Sequence, residues 1–257
     1  MTLQCTWRLA WLNYPFSAQA GDLHKIGQNH PKVKKTNNFS SVLNTIYLLH
    51  MTTVFFLRHG PTQENKEGRI QGQQPGTLLL RETEGYVAAL VPLLREKNPT
   101  ILICSDLERA VQTCNILKQV LGIDDVKQTI SPLLREKAMG FYEGLLWAEV
   151  PQEFQQQRAQ TNFDFRQFGG ENDADVQFRV REMLRRIAQQ YPNSRVACVT
   201  HSGWIRQLVF IADKEGMLPD GWSNRSAIYE AGVGPIGQLQ YFHPISIEAS
   251  FPQDAEE

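Results

Sequence analysis

The sequence predicts an α/β fold built on a parallel sheet, and three observations carry that expectation. Three short runs, Val54-Phe55-Phe56-Leu57, Ile101-Leu102-Ile103-Cys104 and Val196-Ala197-Cys198-Val199, are apolar at every position. Strands buried on both faces of a parallel sheet have this pattern. Each run is flanked by segments with helical apolar spacing, as alternating β and α units require. The 257 residues suffice for one such catalytic domain with a sizeable core.

Taken in order, residues 1–50 lack the dense periodicity of a core. Ala18-Gln19-Ala20 matches a signal-peptide cleavage pattern, but Arg8 and Asn13 interrupt the apolar stretch and no cationic segment precedes it. Two readings stand: a poorly ordered extension, or a start at Met51, two residues before the first convincing strand begins. A domain is expected over residues 51–243 and a loose tail over 244–257. After the second apolar run, Ser105-Asp106-Leu107-Glu108 has the form of a capping box. Leu107, Ala110, Val111, Cys114, Leu117 and Leu121 then recur at helical spacing. Val176, Val180, Met183, Leu184, Ile187 and Tyr191 form a second stripe, with Asp173 and Asp175 at its positive end. A third helix is expected over residues 204–211, and residues 227–230 and 238–242 flank a Gly-rich turn as a hairpin pair.

Composition narrows the function. With 42% hydrophobic and 21% charged residues and a net charge of -1, nothing calls for nucleic acid or a membrane surface as partner. Cys5, Cys104, Cys114 and Cys198 are scattered without metal-ligand spacing. They read as reduced thiols, which favours the cytoplasm. Gly68, Gly72 and Gly76 are spaced for neither a dinucleotide fingerprint nor a Walker loop.

Polar groups follow directly on the C-terminal ends of the three apolar runs: Arg58-His59, Ser105 to Arg109, and His201-Ser202. Ligands bind at that edge of open α/β sheets. Arginine offers a planar fork of donors matched to phosphate oxygens, and Arg109 falls in a first helical turn, where backbone amides also favour anions. Taken singly, a histidine after a strand is ordinarily a loop or satisfied core residue, and an arginine in a first turn a solvated one. Repetition at one sheet edge, together with Gly60, whose bare backbone lets a ligand approach closely, makes an oxyanion pocket the better reading.

The motifs then become specific. Arg58-His59-Gly60-Pro61-Thr62-Gln63-Glu64-Asn65 resembles the R-H-G-x-T-x-x-N signature of the histidine phosphatase superfamily, the phosphoglycerate mutase-like group. Arg69-Ile70-Gln71-Gly72 is similar to the segment that follows it. Ser105 to Thr113 resembles the family's S-x-L-x-R-A-x-x-T helix start. Leu134-Arg135-Glu136 with Gly140-Phe141-Tyr142-Glu143-Gly144 resembles the acid-bearing loop, Gly169-Gly170-Glu171-Asn172 the G-G-E-S turn, and Val199-Thr200-His201-Ser202-Gly203 the second-histidine strand end. These run in order over residues 54–242. Pro61, Ser202 and Asn172 depart from the common residues, and residues 76–84 lack the usual Pro-Leu-Thr turn.

The resemblance implies a three-layer α/β/α sandwich with a mostly parallel sheet. It also implies a metal-independent phosphomonoester hydrolase, with no cofactor, acting on a small phosphorylated metabolite. His59 is then the nucleophile and Glu136 the proton donor, while Arg58, Arg109 and a protonated His201 hold the phosphoryl oxygens. One ring nitrogen of His59 must be a lone pair, so the other is expected to donate to a backbone carbonyl. Asn65, Gln71, Gly72 and Ser202 are candidate substrate-binding positions. Glu143, the rival acid, is read as a structural carboxylate, and Glu171 and Arg179 as framework. Phosphoglycerate mutase-type transfer is the alternative. It is disfavoured because residues 145–168 are compact and contain only Arg158 and Arg166 as cations. A non-catalytic phospho-ligand module is a third reading. Specificity is expected to rest on Phe141, Trp147 and Phe154.

Overall fold

The computed structural model describes residues 51–123, 126, 128–152, 155, 164–218 and 228–246, all within the compact unit Asn38–Glu257. Expectations for residues 1–50, Phe154, Arg158 and nearly all of the tail lie outside the described residues. The order is β1 (Thr52–Arg58), α1 (Gln63–Glu67), α2 (Thr83–Lys97), β2 (Ile101–Cys104), α3 (Glu108–Leu121), β3 (Gln128–Ile130), α4 (Asp173–Gln190), β4 (Arg195–Thr200), α5 (Ser202–Lys214), β5 (Ile228–Val233) and β6 (Leu239–Ile245). The sheet order is β3-β2-β4-β1-β5-β6. The first four strands in that order are parallel, and β5 and β6 add an antiparallel pair beside β1.

Strand alternation assigns the layers. Val54, Phe56, Ile103, Val196 and Cys198 point into one core with the apolar stripes of α4 and α5, where Phe56 meets Trp204 at 5.3 Å between ring centroids. Phe55, Leu57, Leu102, Cys104, Ala197 and Val199 point into the other, against Val87, Leu90 and Leu94 of α2 and Ala110, Cys114 and Leu117 of α3. The expected three layers are therefore present, and continuous apolar runs arise because both faces of each strand are covered. Each fully buried Val, Leu, Ile or Phe among them contributes about 1.5–3 kcal/mol.

Several details differ from the sequence reading. Ser105 is not a helix cap. Its N–H still donates to Val199 O at 3.0 Å as a continuation of the sheet, and its hydroxyl accepts from Leu107 N at 3.3 Å. Helix α3 starts at Glu108 with Leu107 at the N-cap and no side-chain cap. Arg109 nevertheless stays in its first turn. By contrast, the departure at Asn172 is explained: Asn172 caps α4, with its side chain accepting from Asp175 N and the Asp175 carboxylate accepting from Asn172 N. The hairpin strands are longer than expected, and β6 continues to Ile245, beyond the boundary at 243. Helix α2, whose Val87, Leu90, Val91 and Leu94 have helical spacing, carries Pro92 in its interior. Among the described residues, no helix is long and apolar enough to cross a membrane.

Candidate active site

Strand register brings the candidate residues to one level. Arg58 pairs with Thr200, and Leu57 and Cys104 both pair with Val199. The residues that follow β1, β2 and β4 therefore emerge together at the C-terminal edge of the sheet. His59 N donates to Thr200 O at 2.9 Å, which carries the β1–β4 pairing one residue into the site.

His59 is only 4% exposed, and two contacts fix its tautomer. Nδ1 lies 2.7 Å from Gly60 O, a pure acceptor, so Nδ1 bears the proton. Arg109 Nε donates to Nε2 at 3.3 Å, so Nε2 presents its lone pair. This is the arrangement expected of a neutral imidazole nucleophile.

Arg109 is 1% exposed, and each of its three nitrogens donates within the protein. Nη2 donates to Gly72 O at 2.7 Å, and Nη1 donates to Thr77 Oγ1 at 3.1 Å and Gln74 O at 3.4 Å. Thr113 Oγ1 donates to Arg109 O at 2.7 Å and accepts from Gly60 N at 2.9 Å, linking the clamp to the loop after His59. Burial holds the Arg109 guanidinium down to about 10, still charged at neutral pH. Arg58 is close enough to depress His59, His201 and Arg109 electrostatically, and its carbonyl accepts from Tyr86 Oη at 2.7 Å.

His201 is fully buried, its ring centroid 5.0 Å from that of His59, and neither ring nitrogen has a hydrogen-bond partner. Burial comes first, then the positive charge of Arg109, in holding both histidines well below their ordinary value of 6.5. A protonated His201 therefore requires an anion in the pocket to offset the surrounding positive charge, as the expected contact with a phosphoryl group would provide. A stability prediction follows. Below pH 6.5 the unfolded chain takes up protons that the folded chain excludes, so stability falls as pH drops, by up to about 1.4 kcal/mol per pH unit for each histidine. Urea unfolding of the ligand-free protein at about pH 7 and about pH 5.5 measures this, and equal midpoints would contradict it.

The acid loop closes over the same edge. Glu136 Oε2 accepts from Gly203 N at 3.0 Å and Ser202 Oγ at 3.4 Å, and Oε1 accepts from Lys137 N at 2.6 Å. Its carboxylate thus sits at the start of α5, next to His201. An added Cβ at Gly203 would lie 2.2 Å from Glu136 Oε1, so any side chain there would displace the carboxylate. Glu143 turns away from this role: Oε1 accepts from Gln73 N and Met139 N, both at 2.9 Å, and braces the loop. Glu171 and Arg179 are likewise framework, a forked pair at 2.8 Å whose guanidinium also donates to the carbonyls of Leu133, Arg135 and Glu136.

The other candidates divide. Asn65 Oδ1 accepts from Thr62 N and Oγ1 and so completes the capping box of α1, whose N-cap is Thr62. Gln71 is 8% exposed with Oε1 buried and unpartnered. Gly72 has φ 48°, and an added Cβ would lie 2.2 Å from Glu143 Oε1; its carbonyl serves Arg109. At Gly60 an added Cβ would lie 2.3 Å from Thr83 Cγ2, so the packing of Thr83 also calls for glycine there. Phe141 is 75% exposed, whereas Trp147 packs against the small cluster of Ile70, Tyr142, Val150 and Phe165. Thr77, Gln74 and Tyr86 were missed in the sequence, since single polar residues in a loop or helix carry no motif. Among the described residues, no group of His, Cys, Asp or Glu side chains is placed to hold a metal ion.

Comparison with known proteins agrees with this geometry. Residues 54–225 match the family model of the histidine phosphatase superfamily (branch 1). The chain is 30% identical over 162 residues to a metal-independent phosphoserine phosphatase of Arabidopsis thaliana, covering 62% of this chain and 67% of that one. It is 32% identical over 154 residues to a probable phosphoglycerate mutase of Salmonella paratyphi A, covering 59% and 70%. Its fold is shared with a mycobacterial glucosyl-3-phosphoglycerate phosphatase solved with VO3, at TM-score 0.60, 24% identity and coverage of 77% and 99%. It is also shared with a phosphoglycerate mutase of Bacillus anthracis, at TM-score 0.60, 19% identity and coverage of 79% and 94%. With the matched region spanning β1 through α5 and every strand-end motif in place, the chain belongs to the histidine phosphatase superfamily.

Proposed function

We propose that this protein hydrolyses phosphate monoesters of a small metabolite through a phosphohistidine on His59. The observation that carries the reading is the Nε2 lone pair, fixed from both sides by Gly60 O and Arg109 Nε in a buried pocket. Nε2 attacks phosphorus, the ester oxygen leaves with a proton from Glu136, and water then attacks the phosphohistidine and returns a proton to Glu136. Arg58, Arg109 and His201, the last taking up a proton as the dianion enters, face the oxygens on which charge accumulates. Ser202, Asn65 and Gln71 add polar contacts at the rim.

Hydrolysis is favoured over transfer to a second substrate hydroxyl. A mutase must clamp a second anionic group, yet Arg166 in the compact segment is committed to Asp164, with Nε 2.9 and 3.0 Å from its two oxygens. The relatives named above include both phosphatases and mutases, acting on phosphoserine, glucosyl-3-phosphoglycerate or phosphoglycerate by their names. Buried free thiols at Cys104, Cys114 and Cys198 suit a reducing, cytoplasmic setting. Phosphate release from an aryl phosphate in excess chelator tests the proposal. Interconversion of two- and three-phosphoglycerate with a bisphosphorylated primer, without net release, would instead establish the mutase.

Arg109→Lys is expected to lower kcat/KM by about 10²-fold, the cost of removing one preorganised donor to the transition state. A lysine keeps the charge but cannot serve Gly72 O, Thr77 and Gln74 O together while also facing His59. Steady-state kinetics with an aryl phosphate measures it.

A further inference from the structure

The phosphate clamp and the proton donor come from segments far apart in sequence, and one side chain joins them. The carbonyls of Gly72 and Gln74 accept from Arg109 Nη2 at 2.7 Å and Nη1 at 3.4 Å. Both are backbone contacts, so the clamp does not depend on which side chain stands at residue 73. Gln73 lies between these two carbonyls, and its side chain reaches the acid loop. Nε2 donates to Glu136 O at 2.9 Å and to Glu171 Oε2 at 3.3 Å, and Oε1 accepts from Arg135 Nη1 at 3.4 Å.

These three partners set the orientation of the amide. Two are acceptors and one is a cation, so the nitrogen faces Glu136 and Glu171 and the oxygen faces Arg135. The contacts are not needed to hold the loop together. Glu136 O also accepts from Arg179 Nη2 at 3.2 Å, and Glu171 Oε2 accepts from Ala138 N at 2.9 Å and Arg179 Nη2 at 2.8 Å. Arg135 has its fork on Asp106 at 2.7 and 2.6 Å. Each partner of the Gln73 side chain therefore has another. What Gln73 adds is the shorter of the two bonds on the carbonyl of Glu136.

We propose that Gln73 is a positioning residue for the reaction: it fixes the backbone of Glu136 so that the carboxylate stands at a set place relative to the phosphate held by Arg109. This rests on the hydrolytic reading with Glu136 as proton donor. A displacement of about 1 Å in such a group can cost about 10²-fold in rate. The clamp itself, built from backbone carbonyls, keeps its grip.

The full chain carrying Gln73→Met, which keeps the length of the side chain without its polar atoms, is compared with wild type on ethyl phosphate and on an aryl phosphate. The loss in kcat should be at least about tenfold greater on the ethyl ester, because only its alkoxide needs a proton in order to leave. Inorganic phosphate, titrated calorimetrically, should bind within about twofold of wild type, which shows that the clamp is still folded. Equal losses on the two esters, or no loss, would overturn the proposal. Gln73→Glu, assayed at about pH 8 where the carboxylate is ionised, still accepts from Arg135 but cannot donate to Glu136 O. It should show the same preferential loss, and wild-type behaviour would overturn the proposal too. A second readout needs no turnover. The amides of Lys137 and Gly203 both donate to the Glu136 carboxylate, and their hydrogen exchange should rise at least about tenfold in Gln73→Met. His59 N, paired with Thr200 O in the sheet, should exchange as before. Unaltered exchange at Lys137 and Gly203 would overturn the positioning role whether or not phosphate is released. Faster exchange in a protein whose wild type released no phosphate would uphold it and count against hydrolysis alone.

Discussion

His59→Ala is expected to lower kcat for an aryl phosphate by about 10⁴-fold or more, the order seen when a nucleophile acting as part of a unit is removed. The loss arises because no neighbouring group can replace it. His201 has no hydrogen-bonded partner to orient it, and Glu136 is held by the amides of Lys137 and Gly203. Wild-type turnover should be insensitive to excess chelator, since Arg58 and Arg109 supply the cations. Rapid quenching of the wild type should trap a phosphoryl group on His59, read by mass spectrometry of the peptide. The variant leaves Arg109 Nε without its acceptor, so a destabilisation of about 1–3 kcal/mol is expected as well; circular dichroism and a urea melt separate that from lost chemistry. Full activity in a folded variant would remove the phosphohistidine pathway.

The second large effect concerns the proton. Glu136→Gln is expected to reduce kcat by about 10²–10³-fold on alkyl phosphates, whose alkoxide leaves poorly without protonation, and by less than about tenfold on an aryl phosphate. The amide has nearly the same shape but keeps a single oxygen, so either Lys137 N or Gly203 N loses its acceptor, and a urea melt separates that destabilisation of about 1–3 kcal/mol from lost chemistry. Glu143→Gln should cost less than about tenfold on either ester, because a single oxygen, Oε1, accepts both of its backbone bonds and an amide can retain them. The leaving-group dependence is the decisive reading: equal losses on alkyl and aryl esters in Glu136→Gln would mean that it positions the loop, and a steep dependence in Glu143→Gln alone would exchange the two roles.

The sequence by itself determined the three buried strands, the polar groups at their C-terminal ends and the likeness to one family. Those features are local: an unbroken apolar run follows from burial on both faces, and each motif is contiguous. It also led to one wrong reason for a right residue. Ser105 has the pattern of a helix cap, but its N–H is still engaged with Val199, and a pattern cannot reveal where the sheet releases the chain. The sequence also does not show that the missing side chain of Gly60 makes room for Thr83, 23 residues further along the chain.

What only the tertiary structure decided is where long-range partners meet. Thr77 and the carbonyls of Gly72 and Gln74 tie down Arg109 from more than 30 residues upstream, and Gly203 seats Glu136 across 67 residues. The tautomer of His59, the lowered proton affinity of His201 and the unpartnered oxygen of Glu64 all follow from which groups lie nearby and how little water reaches them. Burial and electrostatic neighbours act through space, and the order of residues along the chain does not state them.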